Sequence, residues 1–263
     1  MNSKEALRLA TKHLKDYVEN PYLEAELMVM KLLGINREDL YSKEYDVDEN
    51  KLMEIINKRK MRYPLQYIVG QVEFFSRKFI VQEGVFIPRP ETEILVEEVL
   101  KEIKGKETII DVGTGSGIIA VTIAALRPDV KVFAIDINPL AITLAKKNSE
   151  INSAKNVYFI RGDLLSPFRG KFDIIVSNPP YIAPGEEIYP ELKYEPEDAY
   201  LSPPDGLSHI KRIISDAKML LKNQGFLFLE ISPHISEALL EMFPDAEIIK
   251  DLSGKERVFK LRF

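Results

Sequence analysis

After residue 91 the chain alternates apolar, strand-like runs with helical stretches, and this alternation limits its fold more than any other feature. ETIIDV (107–112), VKVFAIDI (130–137), NVYFIRG (156–162), KFDIIVS (171–177) and GFLFLEIS (225–232) read as strands. Helical patterns occupy 91–104, 117–126, 138–151 and 207–222. Strands that are apolar along almost their whole length, alternating with helices, predict a parallel sheet covered on both faces. The tail breaks the pattern. AEIIKD (246–251) and RVFKLRF (257–263) are joined only by Leu-Ser-Gly-Lys-Glu. So short a link forbids a parallel crossover, so these two runs are expected to pair antiparallel. Ser232 and Pro233 offer a cap and a first-turn proline for the helix that leads into this tail.

The expected architecture is therefore α/β: a seven-stranded, Rossmann-like sheet of the class I methyltransferase type, with one antiparallel strand closing an otherwise parallel array. Residues 1 to about 62 show only helical periodicity, with Ala6, Leu9, Ala10, Leu14, Tyr17 and Val18 on one face. Pro21 opens a second helix that Gly34 ends, and Asp48 caps a third carrying Leu52, Ile55 and Ile56 inward. Lys58, Arg59, Lys60 and Arg62 crowd the end of that helix. They read either as a solvated helix end complementing the dipole or as a contact patch for an RNA-rich or acidic partner. VEFFSRKFIVQEGVFI (72–87) alternates and is rich in aromatic and β-branched residues, which predicts a hairpin. The expected organisation is a helical domain over 1–70, a hairpin linker over 71–88 and the α/β domain over 89–263.

Composition excludes several classes. The chain is 45% hydrophobic and 29% charged, a folded rather than a disordered balance. No apolar run approaches the ~20 residues that span a bilayer. The N-terminus alternates charge with apolar positions, unlike a secretory signal. Cysteine is absent, which removes disulfides and thiolate metal sites, and the three histidines lie far apart, so no metal is expected. A net charge of −5 argues against a bulk nucleic-acid binder. A cytoplasmic monomer without membrane or direct nucleic-acid partners is expected.

Asp111-Val-Gly-Thr-Gly-Ser-Gly117 joins the first sheet strand to a helix. Its alternate glycines, Gly113, Gly115 and Gly117, let the backbone turn tightly and approach a ligand, with Thr114 and Ser116 between them. Ligands of such sheets sit beyond the carboxyl ends of the strands. Asp136 ends the next strand, where a carboxylate can accept from both hydroxyls of a ribose or, alternatively, cap the helix that follows. Asp163 and Leu164 end the third strand, where Asp163 can accept from an adenine amino group and Leu164 can cover the ring. No lysine or arginine clamp for a diphosphate accompanies the glycines. That favours a nucleoside without phosphates, such as S-adenosylmethionine, over a dinucleotide.

SNPPYI (177–182) ends the fourth strand at the same sheet edge. Pro179 precedes a proline and is pushed to the extended region, so its carbonyl points in a fixed direction. Asn178 adds a side-chain carbonyl. Together they present two acceptors to one planar NH₂ group, and Tyr181 offers a flat face to stack on it, with Pro180 stiffening the corner. Acceptors on both hydrogens raise electron density on an otherwise poor nucleophile. The corner therefore reads as a site for methyl transfer to an sp² nitrogen, with Asn178, Pro179 and Tyr181 as its catalytic residues.

The chain resembles the PrmC/HemK family of release factor glutamine-N5 methyltransferases. The likeness runs through RYPLQYIVGQVEFF (62–75), VFIPRPETEILVE (85–97), IIDVGTGSGIIA, AIDINPLAITLAKKN, FDIIVSNPPYI, Tyr194-Glu195-Pro196, Asp205-Gly206-Leu207 and DLSGKERV. It implies a helical domain that docks a class I peptide chain release factor. It implies S-adenosylmethionine held by Gly113 to Gly117, Asp136, Leu164 and Asn178, with Arg89 to Thr92 walling the pocket. It implies the glutamine of a Gly-Gly-Gln loop held by Asn178 to Tyr181. Glu230-Ile231-Ser232-Pro233-His234 departs from the family's usual Glu-Ile-Gly, and no role follows for it. Three other readings share parts of the pattern: an amino-methyltransferase acting on adenine or guanine, a non-catalytic binding protein of the same fold, and an NAD dehydrogenase.

Overall fold

The computed structural model describes all 263 residues. They form two compact units, one of Met1–Gln71 with Ile188–Tyr194, the other of Val72–Glu187 with Glu195–Phe263.

The first unit is helical: α1 (Ser3–Leu14), α2 (Pro21–Leu33), α3 (Arg37–Ser42), α4 (Glu49–Lys60) and α5 (Leu65–Val69). A capping box starts α1, the Asn2 side chain accepting from the Glu5 N–H and the Glu5 carboxylate from the Asn2 N–H. Asp48 caps α4 by accepting from the Asn50 and Lys51 N–H groups. Ala6, Ala10, Leu14, Met28, Leu52 and Ile56 bury their side chains completely. Neither reading of the basic helix end holds for Arg59, which is only 7% exposed. Its guanidinium donates to both carboxylate oxygens of Glu24, at 2.6 and 3.1 Å, and to Glu191 at 3.0 Å. A buried cation needs such partners, and two acids supply them.

A two-stranded hairpin follows, β1 (Gln71–Phe74) and β2 (Arg77–Ile80), which belongs to the second unit from Val72 onward. Its turn residues Phe75 and Ser76 both have positive φ, 49° and 55°, as the type I′ two-residue hairpin turn requires. The hairpin stops at Ile80. Residues 81–87 continue outside any strand and bury Val85 and Ile87. Then come α6 (Thr92–Glu102), β3 (Thr108–Val112), α7 (Ile118–Leu126), β4 (Lys131–Asp136), α8 (Pro139–Ile151), β5 (Val157–Arg161) and β6 (Phe172–Ser177). After these follow α9 (Ser208–Leu220), β7 (Leu221–Glu230), α10 (Pro233–Met242), β8 (Glu247–Lys250) and β9 (Glu256–Arg262).

The large sheet has the order β5-β4-β3-β6-β7-β9-β8. Its pairings are parallel except those of β9, which runs antiparallel to β7 and β8. This is the expected methyltransferase-type sheet. Period-two alternation sends Ile109, Val132, Ile174 and Phe228 to a core with α6 and α7. It sends Ile110, Ile135, Ile175 and Leu227 to a second core with α9 and α10. The strand order reverses between β3 and β6, which opens a crevice at their carboxyl ends. Pro233 starts α10 as expected, but Ser232 does not cap it; its hydroxyl bonds instead to Nδ1 of His234. No helix is long and apolar enough to cross a membrane.

Candidate active site

The carboxyl ends of β3, β4, β5 and β6 border one cavity of about 280 Å³. Thr92, Gly113 to Ser116, Asp136, Asp163, Leu164, Asn178 and Pro180 line it together. Gly117, Pro179, Tyr181 and Arg89 are not among its lining residues. The glycine turn explains part of that division. Gly113 and Gly115 have positive φ, and a Cβ on either would project into open space. Gly117 serves packing instead: a Cβ there would lie 2.8 Å from the Ala145 Cβ, in the contact between α7 and α8.

Asp111 holds this turn from within the sheet. It is fully buried, and its Oδ2 accepts from the Thr114 hydroxyl at 2.6 Å and the Ala120 N–H at 3.1 Å. Gly117, the N-cap of α7, has no side chain to offer, and Asp111 supplies an acceptor to that first turn from the neighbouring strand. Nothing in the sequence pattern singled out this role. Asp136 accepts from the Gly115 N–H through Oδ2 and from the Asn138 N–H through Oδ1, both at 2.8 Å. It is not the cap of α8; Asn138 is, accepting from the Leu140 N–H. A carboxylate offers about four acceptor sites, so Asp136 keeps about two free for hydroxyl donors.

Asp163 is half-exposed, and its Oδ2 pairs with Arg212 at 2.7 Å. Leu164 adopts a positive φ of 45° at the same corner. The far wall was not anticipated from sequence. Phe86, Pro88, Pro196, Asp198, Ala199 and His209 line it. Glu195 ties two of these segments together, accepting from the Ile87 N–H at 2.7 Å and from Arg89 at 2.5 Å. Arg89, whose guanidinium also stacks on Phe86, is thus committed to Glu195 and braces the wall.

Three acids and one histidine are the only titratable side chains lining the cavity, and no lysine or arginine does. The Ser116 hydroxyl is buried there without a partner. Such a lining is unsuited to a diphosphate and suited to a nucleoside bearing positive charge.

Asn178 follows β6, and its Nδ2 faces Oγ1 of Thr92 at 3.4 Å. Thr92 in turn donates to Oε2 of Glu230 at 2.6 Å. Pro179 is buried, and Tyr181 is half-buried against the α9-side core. Burial pushes the Tyr181 phenol up from its ordinary value, so it stays neutral.

Two buried carboxyls give this unit a pH signature. Burial pushes both Asp111 and Glu230 up to about 7. The folded chain therefore keeps protons that the unfolded chain releases in the ordinary carboxylate range. Stability falls as pH rises from that range to about 7, and these two groups cause no further loss above it. Asp251, held down chiefly by the Ser253 hydroxyl and Arg257, acts oppositely, but below the ordinary range. Urea unfolding should show stability dropping by a few kcal/mol between about pH 4.5 and pH 7. Glu230→Gln should shrink that drop; an equally steep profile in the variant would assign it elsewhere.

Known proteins extend this picture. A family described as "PrmC N-terminal domain" matches residues 5–70, and one described as "Methyltransferase small domain" matches residues 77–192. Two solved structures share the fold. A ribosomal protein L11 methylase from Lactobacillus delbrueckii subsp. bulgaricus superposes with a TM-score of 0.52 at 20% identity, over 72% of this chain and 88% of its own. A 16S rRNA methyltransferase of T. thermophilus, solved with AdoMet and guanosine, superposes with a TM-score of 0.55 at 18% identity, over 73% of this chain and 49% of its own. Sequence relatives are nearer. The release factor glutamine methyltransferase of Thermodesulfovibrio yellowstonii is 38% identical over 255 residues, 91% of each chain. That of Lactococcus lactis is 38% identical over 98% of each, and that of Bacillus subtilis 37% over 96% of this chain and 95% of its own. Likeness of that degree along nearly the whole length of both partners makes this chain a member of the release factor glutamine methyltransferase family.

Proposed function

We propose that this protein transfers a methyl group from S-adenosylmethionine to the side-chain amide nitrogen, N5, of the glutamine in the Gly-Gly-Gln loop of class I peptide chain release factors, in the cytoplasm. One observation carries the reading. The Asn178-Pro179-Pro180-Tyr181 corner stands at the rim of a cavity that has acids, an open glycine turn and no cationic clamp.

When bound, S-adenosylmethionine supplies a methyl made electrophilic by its sulfonium. Gly113 and Gly115 leave room for the cofactor, Asp136 keeps acceptors for its ribose, and Asp163 with Leu164 meets its base. Among the chain's own groups, Asn178 does the most. With its Nδ2 turned to Thr92, its Oδ1 remains to accept from the substrate NH₂. A second acceptor from the Pro179 carbonyl would leave the amide nitrogen richer in electrons and fixed in direction. A well-aligned pair of reactants can lower a barrier by roughly 7–11 kcal/mol without any strong base. Tyr181, neutral and half-buried, is suited to flank the planar amide. The helical unit is read as the surface that docks the release factor.

The test is mass spectrometry of a release factor incubated with the protein and S-adenosylmethionine. One added methyl on the glutamine of the Gly-Gly-Gln peptide is expected. Methyl label appearing on DNA or RNA alone would move the activity to nucleic-acid bases and overturn the assignment.

A further inference from the structure

We propose that Glu230 and Thr92 are positioning residues that set which end of the Asn178 amide faces the substrate. The inference rests on reading Asn178 as the residue that holds the substrate amide.

The three side chains form a line across neighbouring elements. Glu230 ends β7, Thr92 starts α6, and Asn178 follows β6, which pairs with β7 through Ser177 and Leu229. Glu230 is 3% exposed and Thr92 1%. Thr92 Oγ1 lies 2.6 Å from Glu230 Oε2, and Asn178 Nδ2 lies 3.4 Å from the same Oγ1.

Proton counting decides the orientation. An ionised carboxylate only accepts, so the single hydroxyl proton of Thr92 goes to Glu230. What remains on Oγ1 is lone pairs, and only the NH₂ end of Asn178 can face them. The carbonyl end is then left for the substrate. Protonated Glu230 reverses the logic. It donates to Oγ1, the Thr92 proton becomes free to face an acceptor, and the opposite amide orientation becomes equally satisfied. In that orientation Asn178 would present donors to the donors of the substrate amide.

Glu230 is well placed to make this choice titratable. Burial raises its pKa, to about 7, and the Thr92 hydrogen bond only partly opposes the rise. Of the charges around it, Glu91 raises it further, while Arg257 and Arg89 lower it. The Tyr181 phenol nearby stays neutral.

The side-chain amide resonances of Asn178 in the cofactor-free protein give a readout that needs no turnover. They should shift with pH about a midpoint near 7 in the wild type and stay still in Glu230→Gln. Kinetics give a second. Wild-type kcat should rise through neutral pH along the same curve, and Glu230→Gln should lose that limb. Thr92→Val should lower kcat about tenfold, the worth of one hydrogen bond, with cofactor affinity unmoved, and Thr92→Ser should restore most of the rate. Stationary Asn178 signals in the wild type, or a titration that persists in Glu230→Gln, would overturn the proposal. So would cofactor affinity falling in step with kcat in Thr92→Val, which would make Thr92 a cofactor contact. A titrating Asn178 in a protein that leaves release factor unmethylated would sink the proposed function and leave the coupling intact.

Discussion

Asn178→Ala is expected to lower kcat on release factor by roughly 10²–10³-fold, the scale on which a single polar group aimed at a reacting centre contributes. Cofactor affinity should change only a fewfold. The reason lies in what the side chain touches. Its Nδ2 has a protein partner in Thr92, its Oδ1 accepts from no protein donor, and the residue lines the cavity. On the proposed function, removing that acceptor would leave the substrate amide with one fewer restraint and a less electron-rich nitrogen, a loss felt as the reaction proceeds more than in binding. Steady-state rates together with calorimetric titration of S-adenosylmethionine separate the two quantities. Parallel losses in both would make Asn178 chiefly a cofactor anchor.

The second large effect is expected at a residue away from the cavity lining. Gly206 has a φ of +79°, and a Cβ built on it would lie 2.5 Å from the carbonyl oxygen of Tyr181. No real contact is that short, so Gly206→Ala must push the Tyr181 backbone aside or leave the left-handed conformation. The surroundings resist the second escape. The Gly206 N–H donates to Ser202 O at 2.7 Å, the Ser202 N–H to Ile182 O at 2.8 Å, and the Ile182 N–H to Tyr200 O at 2.9 Å. These bonds lace the 200–206 segment to the end of the proline corner, so the strain passes to Tyr181. A displacement near 1 Å in a positioned group can cost about 100-fold in rate. Gly206→Ala should therefore lose ten- to a hundredfold in kcat for roughly 1–3 kcal/mol of stability, measured by urea unfolding. Undiminished kcat would show that the corner is positioned by other contacts.

How far these features could be read from sequence depends on the range of the forces involved. The inner parallel strands, β3 and β6 above all, announce themselves because they are buried on both faces and must be apolar along most of their length. Asp136, Asp163, Leu164 and Asn178 follow at once, since they occupy the carboxyl ends of those strands. Short or polar elements hide. The six-residue α3 is too brief to show a period, and the start of β7 at Leu221 hides because Lys222, Asn223 and Gln224 carry no apolar signal. The far wall of the cavity hides for another reason. Arg89 and Glu195 meet across 106 residues of sequence, and neither type reveals its partner locally. Arg59 misleads in the same way: a basic cluster reads as solvated until Glu24 and Glu191 are seen to enclose one of its members. Asp111 sits in an apolar strand, where its carboxylate looked like part of the turn motif and not like the acceptor that starts α7.

The sheet order places β9 between β7 and β8, although β8 precedes it in the chain. During synthesis β8 leaves the ribosome with no strand to join, because the one that must lie beside it has not yet been made. Until residues 256–262 emerge, the ladder of β7 stays open along the very strand that ends in Glu230. An unpaired strand edge of that kind is a template for wrong pairing. A nascent chain stalled just short of β9 is thus left with that edge exposed and prone to self-association until its sheet is sealed.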